Sequence, residues 1–169
     1  WLYDRYPNTA YVSVTAPLPG MGKTLTMDVC GALARNAKML ATVRMLAVVR
    51  AIEAHDGRLT LLIDEVEKLA RRTHDDAASL MHGGYRKGST HMVSAGKSNM
   101  EYRTYCPKMF ASIGDVNAVL RSRSIVLTLP FGRPTRDFYA EEPIARGEAS
   151  GLVTAFAAAS EALDLPAYV

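Results

Sequence analysis

Cysteine is scarce. Cys30 and Cys106 are the only two in 169 residues, too few for a disulfide framework and without the spacing of a metal cluster. A reducing, cytoplasmic setting is the expectation that follows. Long apolar runs are missing too: no stretch approaches the roughly 20 residues that cross a bilayer, so no membrane partner is expected. No signal-peptide pattern opens the chain, and its first residue is Trp1 rather than methionine, which suggests a piece of a longer protein. Internal repeats are absent. Acidic residues are nearly missing from one region: between His82 and Arg136, nine lysines and arginines stand against Glu101 and Asp115. That excess of seven, in a chain of net charge +3, leaves the remainder at −4. A region so basic suits nucleic acid or phosphates, an acidic neighbouring subunit, or a solvated face.

What is present suffices for one α/β core, since 49% of the residues are hydrophobic. The chemistry concentrates around the stretch 15–24, TAPLPGMGKT. Before it, residues 10–15 have the β-branched and aromatic content of a strand. After it, Leu25, Val29 and Leu33 recur every fourth residue, one face of a helix. A loop between a strand and a helix offers free backbone N–H groups where the helix dipole also favours an anion. Gly20 and Gly22 allow close approach to a phosphate. Lys23 would then reach the β- and γ-phosphates, and the Thr24 hydroxyl would hold Mg²⁺. The general phosphate-loop spacing places glycine where Pro17 stands here.

A second signal is Leu59-Thr60-Leu61-Leu62-Ile63-Asp64-Glu65, a near-continuous apolar run that reads as a buried parallel strand. Its two carboxylates would lie at the carboxyl end, where open α/β sheets bind ligands. Asp64 suits Mg²⁺, which takes few protein ligands and keeps water. Glu65 can polarise the water that attacks the γ-phosphate. The alternative is an acidic helix start.

The remaining segments are read more coarsely. Tyr3 or Tyr6 either flanks an adenine ring or packs on the core. Asn36 ends the first helix, and residues 38–40 form a short second strand. Thr42 caps a helix carrying Leu46, Val49 and Ile52, which Asp56-Gly57 breaks. Val66 to Met81 reads as helix, with Leu69 and Leu80 among its apolar positions. Residues 91–93 and 102–105 flank a polar turn over 94–99, whose Lys97 is a candidate for touching a nucleic-acid backbone. Met109 to Gly114 reads as another buried strand. Arg121 and Arg123 precede a strand from Ser124 and lie near the phosphate edge or a subunit boundary, in an arginine-finger role or an ordinary salt bridge. Residues 131–148 read as a connector, followed by a helix from Ala149 to Leu163. The core is thus expected over 1–130, with connector and helix over 131–169.

Taken together, Pro19-Gly20-Met21-Gly22-Lys23-Thr24 and Leu61-Leu62-Ile63-Asp64-Glu65 resemble the two nucleotide motifs of AAA+-type P-loop ATPases. With residues 82–88, 107–114 and 123–125, the chain more narrowly resembles the P-loop domain of replication, primase-like and helicase-like proteins of phages, plasmids and actinobacteria. The resemblance implies a three-layer α/β fold with a mostly parallel central sheet. It implies ATP and Mg²⁺ as ligands, with Pro19, Gly20, Met21, Gly22, Lys23, Thr24 and Leu25 as the phosphate loop. Thr24 and Asp64 would hold the metal, with Lys23, Glu65 and Arg123 catalytic. Ser112, on the neighbouring strand, would sense the γ-phosphate. Arg123 matches an arginine often used in trans, which implies a homo-oligomeric ring. Single-stranded DNA is the partner expected, with Lys97, Arg86 and Lys87 as contacts. The rival readings are a nucleotide-gated regulatory or defence module and a small-molecule phosphotransferase. Glu65 argues against the last, because a kinase has little use for a water-activating carboxylate.

Overall fold

A computed structural model describes residues 3–40, 44–66, 76–95, 98–130 and 138–162. Around β1 (Tyr11–Ala16) the others are arranged. Its residues are covered on both faces, which is why Tyr-Val-Ser-Val-Thr-Ala carries no charge. Tyr11 joins a cluster on one face with Phe110, Leu61 and Ile63. Val12 and Val14 join the cluster on the other face with Leu62, Met109 and Ala111. The five-stranded sheet runs β2 (Ala37–Leu40), β3 (Thr60–Ile63), β6 (Lys108–Ile113), β1, β7 (Ser124–Thr128). Every neighbouring pair is parallel.

Helices cover both faces. α1 (Lys23–Leu33) packs Met27 against the Val14 cluster and carries the chain from β1 to the far edge at β2. α2 (Met45–Ala54) returns it to β3, burying Met45, Val48, Val49 and Ile52 on the opposite face. α4 (Ala118–Arg121) connects β6 to β7 in that same direction and on that same face, through Leu120. Crossovers running one way use one face and those running back use the other, as a single handedness requires. α3 (Asp76–Gly83) adds Leu80 and Met81 to the α2 side, and α5 (Phe138–Ala162) lies against α1. The hairpin β4 (Thr90–Ala95) and β5 (Ser98–Arg103) stands apart from the sheet as an antiparallel pair. The α/β class, the parallel sheet and its five strands are as expected from the sequence.

Several local expectations need correction. In α1 the side turned to the sheet carries Met27 and Cys30, whereas Val29 is exposed. Gly31 belongs to the buried side as well, because a Cβ there would lie 2.7 Å from Leu62 Cδ1. The hairpin strands reach further into the polar stretch, with Ser94 paired to Asn99 and Ala95 to Ser98. Helix α5 begins at Phe138, so the second half of the expected connector is helical. Thr42, Leu69 and Lys97 lie outside the described residues.

Candidate functional site

The carboxyl ends of β1 and β3 are one strand apart, with β6 between them. The chain leaves β1 at Ala16 and turns into α1 through Gly20 and Gly22, both at positive φ (75° and 84°). Open space surrounds both positions, and nothing lies within 4 Å of a Cβ built there. The glycines are therefore required by backbone conformation rather than by a close neighbour. Gly22 is the N-cap of α1 and supplies no side chain to its first turn. Those N–H groups remain available, as an anion site at a helix start requires. Lys23 is 8% exposed and its Nζ donates to Leu18 O at 3.3 Å, across the loop.

Thr24 faces β3. Its Oγ1 donates to Asp64 Oδ2 at 3.0 Å, joining positions 40 apart in the chain. The other Asp64 oxygen, Oδ1, accepts the Glu65 backbone N–H at 2.9 Å. Glu65 itself is in the left-handed region with φ 53°, uncommon for a residue with a side chain. It turns the chain out of the strand directly after the aspartate. Hydroxyl and carboxylate oxygens are the hard donors that suit Mg²⁺, an ion held by one or two side chains together with phosphate oxygens and water. Loop and donor set thus fit a nucleoside triphosphate with its metal.

Ser112 lies at the carboxyl end of β6, beside Thr15 in register. It is buried, and its Oγ donates to Gly114 O at 3.3 Å. Its hydroxyl is thus engaged in the turn that leaves β6. That turn is tied to the phosphate loop, since Gly114 N–H donates to Ala16 O at 3.0 Å. Thr15 and Thr128 form a further pair at this edge, with Oγ1 atoms 3.2 Å apart. The signal for them was their shared place at strand ends.

Other candidates sit at the opposite, amino edge. Ser124 pairs with Tyr11, so Arg123 precedes β7 at the start of β1 and lies far from its own phosphate loop. Its guanidinium stacks 4.5 Å from the Tyr85 ring centroid and donates to His82 O. Arg121, by contrast, lies on the connection between β6 and β7 and pairs at 3.1 Å with Asp115, just after the Gly114 turn. Arg86 and Lys87 also belong to the amino edge, through an Asn8–Arg86 bridge and a bond from Lys87 N–H to Pro7 O. Tyr3 packs on Tyr105 there, and its hydroxyl donates to Gly57 O, so packing rather than adenine contact is its observed role.

Sequence reasoning missed Lys108. It reads as a member of the basic region but is buried, and its Nζ donates to Gly84 O, Thr104 O and Cys106 O at 3.0–3.1 Å. Burial pushes its pKa below the usual lysine value, partly opposed by Cys106. Two of the carbonyls, Thr104 O and Cys106 O, belong to the segment just before it, but the third comes from Gly84, 24 residues away, and only the fold brings it in. Compared with known proteins, the chain matches no protein-family model and no curated protein.

Proposed function

We propose that the carboxyl edge binds ATP with Mg²⁺ and hydrolyses it, and that hydrolysis drives movement or remodelling of nucleic acid by a homo-oligomer. The observation that carries this reading is the 3.0 Å contact between Thr24 Oγ1 and Asp64 Oδ2, beside a loop with Lys23 at its helix start. Two motifs read independently from the sequence converge on one place in space. Lys23 supplies a fixed positive charge for the phosphates, and the N–H groups after Gly22 orient them. Thr24 and Asp64 hold the metal, and Glu65 accepts a proton from the attacking water. When bound, the metal and nucleotide supply charge neutralisation and the reacting phosphorus. The basic region supports the nucleic-acid half of the reading.

The test is phosphate release from ATP by this chain, with and without single- and double-stranded DNA, beside Lys23→Ala. Turnover that rises with DNA and vanishes in the variant is the expected result. Turnover indifferent to DNA would remove the nucleic-acid half. ATP binding without turnover under every condition would point instead to a nucleotide-gated module.

A further inference from the structure

The stem of the phosphate loop is tied to the strands on both sides of it. On the β6 side, Gly114 N–H donates to Ala16 O at 3.0 Å. On the β7 side, Leu129 N–H donates to Thr15 O at 2.8 Å, and the Thr15 and Thr128 hydroxyls share a hydrogen bond with their oxygens 3.2 Å apart. Thr15 is 5% exposed, and Thr128 is the one partner of its hydroxyl among the described residues. Thr128 itself is exposed and ends an edge strand whose one neighbour in the sheet is β1. Thr128, Thr15 and Ser112 stand in one register row across β7, β1 and β6, so their side chains share a face. Beyond the stem, residues 17–20 are exposed, and packing does not hold them in place. Pro17 and Pro19 fix φ at two of these positions, so the first half of the loop is stiff and follows the stem.

We propose that Thr128, which lies outside both nucleotide motifs, is a positioning residue for ATP and acts through Thr15 on the phosphate loop. Without the Thr128 hydroxyl, that of Thr15 is left buried and unpaired, which is costly. Thr15 then turns toward another acceptor, and the end of β1 shifts with it. Glycine at position 17, as in the general loop spacing, would let the loop absorb such a shift; Pro17 does not. The displacement therefore reaches Gly20, Gly22 and the N–H groups that follow them, whose direction decides how well an anion is held. A cross-strand threonine pair is also an ordinary source of sheet stability. Because Thr128 is exposed, that share is small here, and affinity and stability measured side by side separate the two roles. This inference rests on the nucleotide half of the proposed function and adds a residue that decides how tightly the nucleotide is held.

The experiment is isothermal titration calorimetry of ATP with Mg²⁺ into this chain and into Thr128→Val, Thr128→Ser, Thr15→Val and Thr15→Val/Thr128→Val. Valine keeps the β-branching of threonine and removes the hydroxyl. Thr128→Val is expected to bind ATP about fivefold more weakly, the size of one ordinary hydrogen bond, with a urea midpoint close to that of the wild type. Thr128→Ser restores the hydroxyl and should bring affinity back to within about twofold. In the Thr15→Val background the Thr128 substitution should have no further effect, because the path through Thr15 is already cut. Equal ATP affinity in Thr128→Val and the wild type would overturn the proposal. So would a loss that persists in the Thr15→Val background, or a urea midpoint that falls in step with affinity. A wild type that binds no ATP would sink the proposed function and this inference with it. Binding without hydrolysis would remove the ATPase alone and leave this test standing.

Discussion

Thr24 Oγ1 lies 3.0 Å from Asp64 Oδ2, although the rest of α1 and then β2, α2 and β3 separate them in the chain. The contact exists because β1 and β3 run parallel and end at one edge. β6 fills the place between them, so neither strand's turn blocks the other. Glu65 then leaves β3 through a left-handed residue, and its N–H fixes the free oxygen of Asp64. One oxygen of Asp64 is thus held by the backbone and the other by the Thr24 hydroxyl.

Glu65 and Asp64 should separate by function. Glu65→Gln keeps the backbone N–H that bonds to Asp64, so nucleotide and metal binding should persist while turnover falls about 100-fold or more. Asp64→Asn should lose both, because the amide presents a weaker oxygen to the metal. Nucleotide affinity and phosphate release measured on the two variants distinguish these outcomes. Turnover unchanged in Glu65→Gln would remove Glu65 from the mechanism.

For Arg123, position decides the form of the test. It precedes β7 at the amino edge, and the five steps along β1 to Ala16 cover roughly 17 Å, so it cannot complete its own site. If it acts, it acts on a neighbour. Arg123→Ala should lose turnover and regain part of it when mixed with Glu65→Gln chains, since each supplies what the other lacks. No recovery at any mixing ratio would leave Arg123 with its contacts to Tyr85 and His82 alone.

Where composition and spacing carried information, the fold was legible. The apolar run ending in Asp64 could only be a buried strand, and glycines at 20 and 22 marked the loop between β1 and α1. The buried side of α1 was not legible. Leu25 and Val29 make as good a stripe as Met27 and Cys30, and only the approach of Leu62 to Gly31 selects between them. α5 was hidden by Pro143 and the charges around it, which read as loop although the backbone continues as helix. Arg123 was placed between two options that a sequence cannot separate, because the edge it occupies depends on strand register. Lys108 was hidden most completely: a lysine reads as solvated until its three acceptors are seen.

Those acceptors yield a stability prediction. Lys108→Met removes the ammonium from Gly84 O, Thr104 O and Cys106 O, and stranded buried acceptors should lower stability by about 3 kcal/mol. Gly84→Ala attacks the same knot from outside. Its Cβ would lie 2.4 Å from Lys108 Nζ, 2.6 Å from Thr104 O and 2.7 Å from Leu80 O, two of them backbone atoms that cannot step aside. A loss of at least about 2 kcal/mol is expected. Urea unfolding measures both, and a Lys108→Met midpoint equal to that of the wild type would show that the ammonium is not a staple.

The tyrosines of the amino edge make stability depend on alkaline pH. Tyr3 and Tyr105 are each pushed from the ordinary value of 10.0 to about 12, first by burial and then by the charges of Cys106 and Asp4. In the folded chain both hydroxyls stay protonated, Tyr3 donating to Gly57 O and Tyr105 to Tyr3 O and Tyr6 O. In the unfolded chain they ionise near their ordinary value, so there the unfolded state binds fewer protons and stability falls as pH rises. Their contribution is complete below about pH 10 and is lost as pH climbs through about 12. Tyr3→Phe/Tyr105→Phe should be less stable than the wild type near neutrality, through the lost hydrogen bonds, yet show a shallower fall across that window. Unfolding free energies from urea titrations at several alkaline pH values give the two slopes. Parallel slopes would show that these hydroxyls ionise alike in both states, and that burial at the amino edge does not hold their protons.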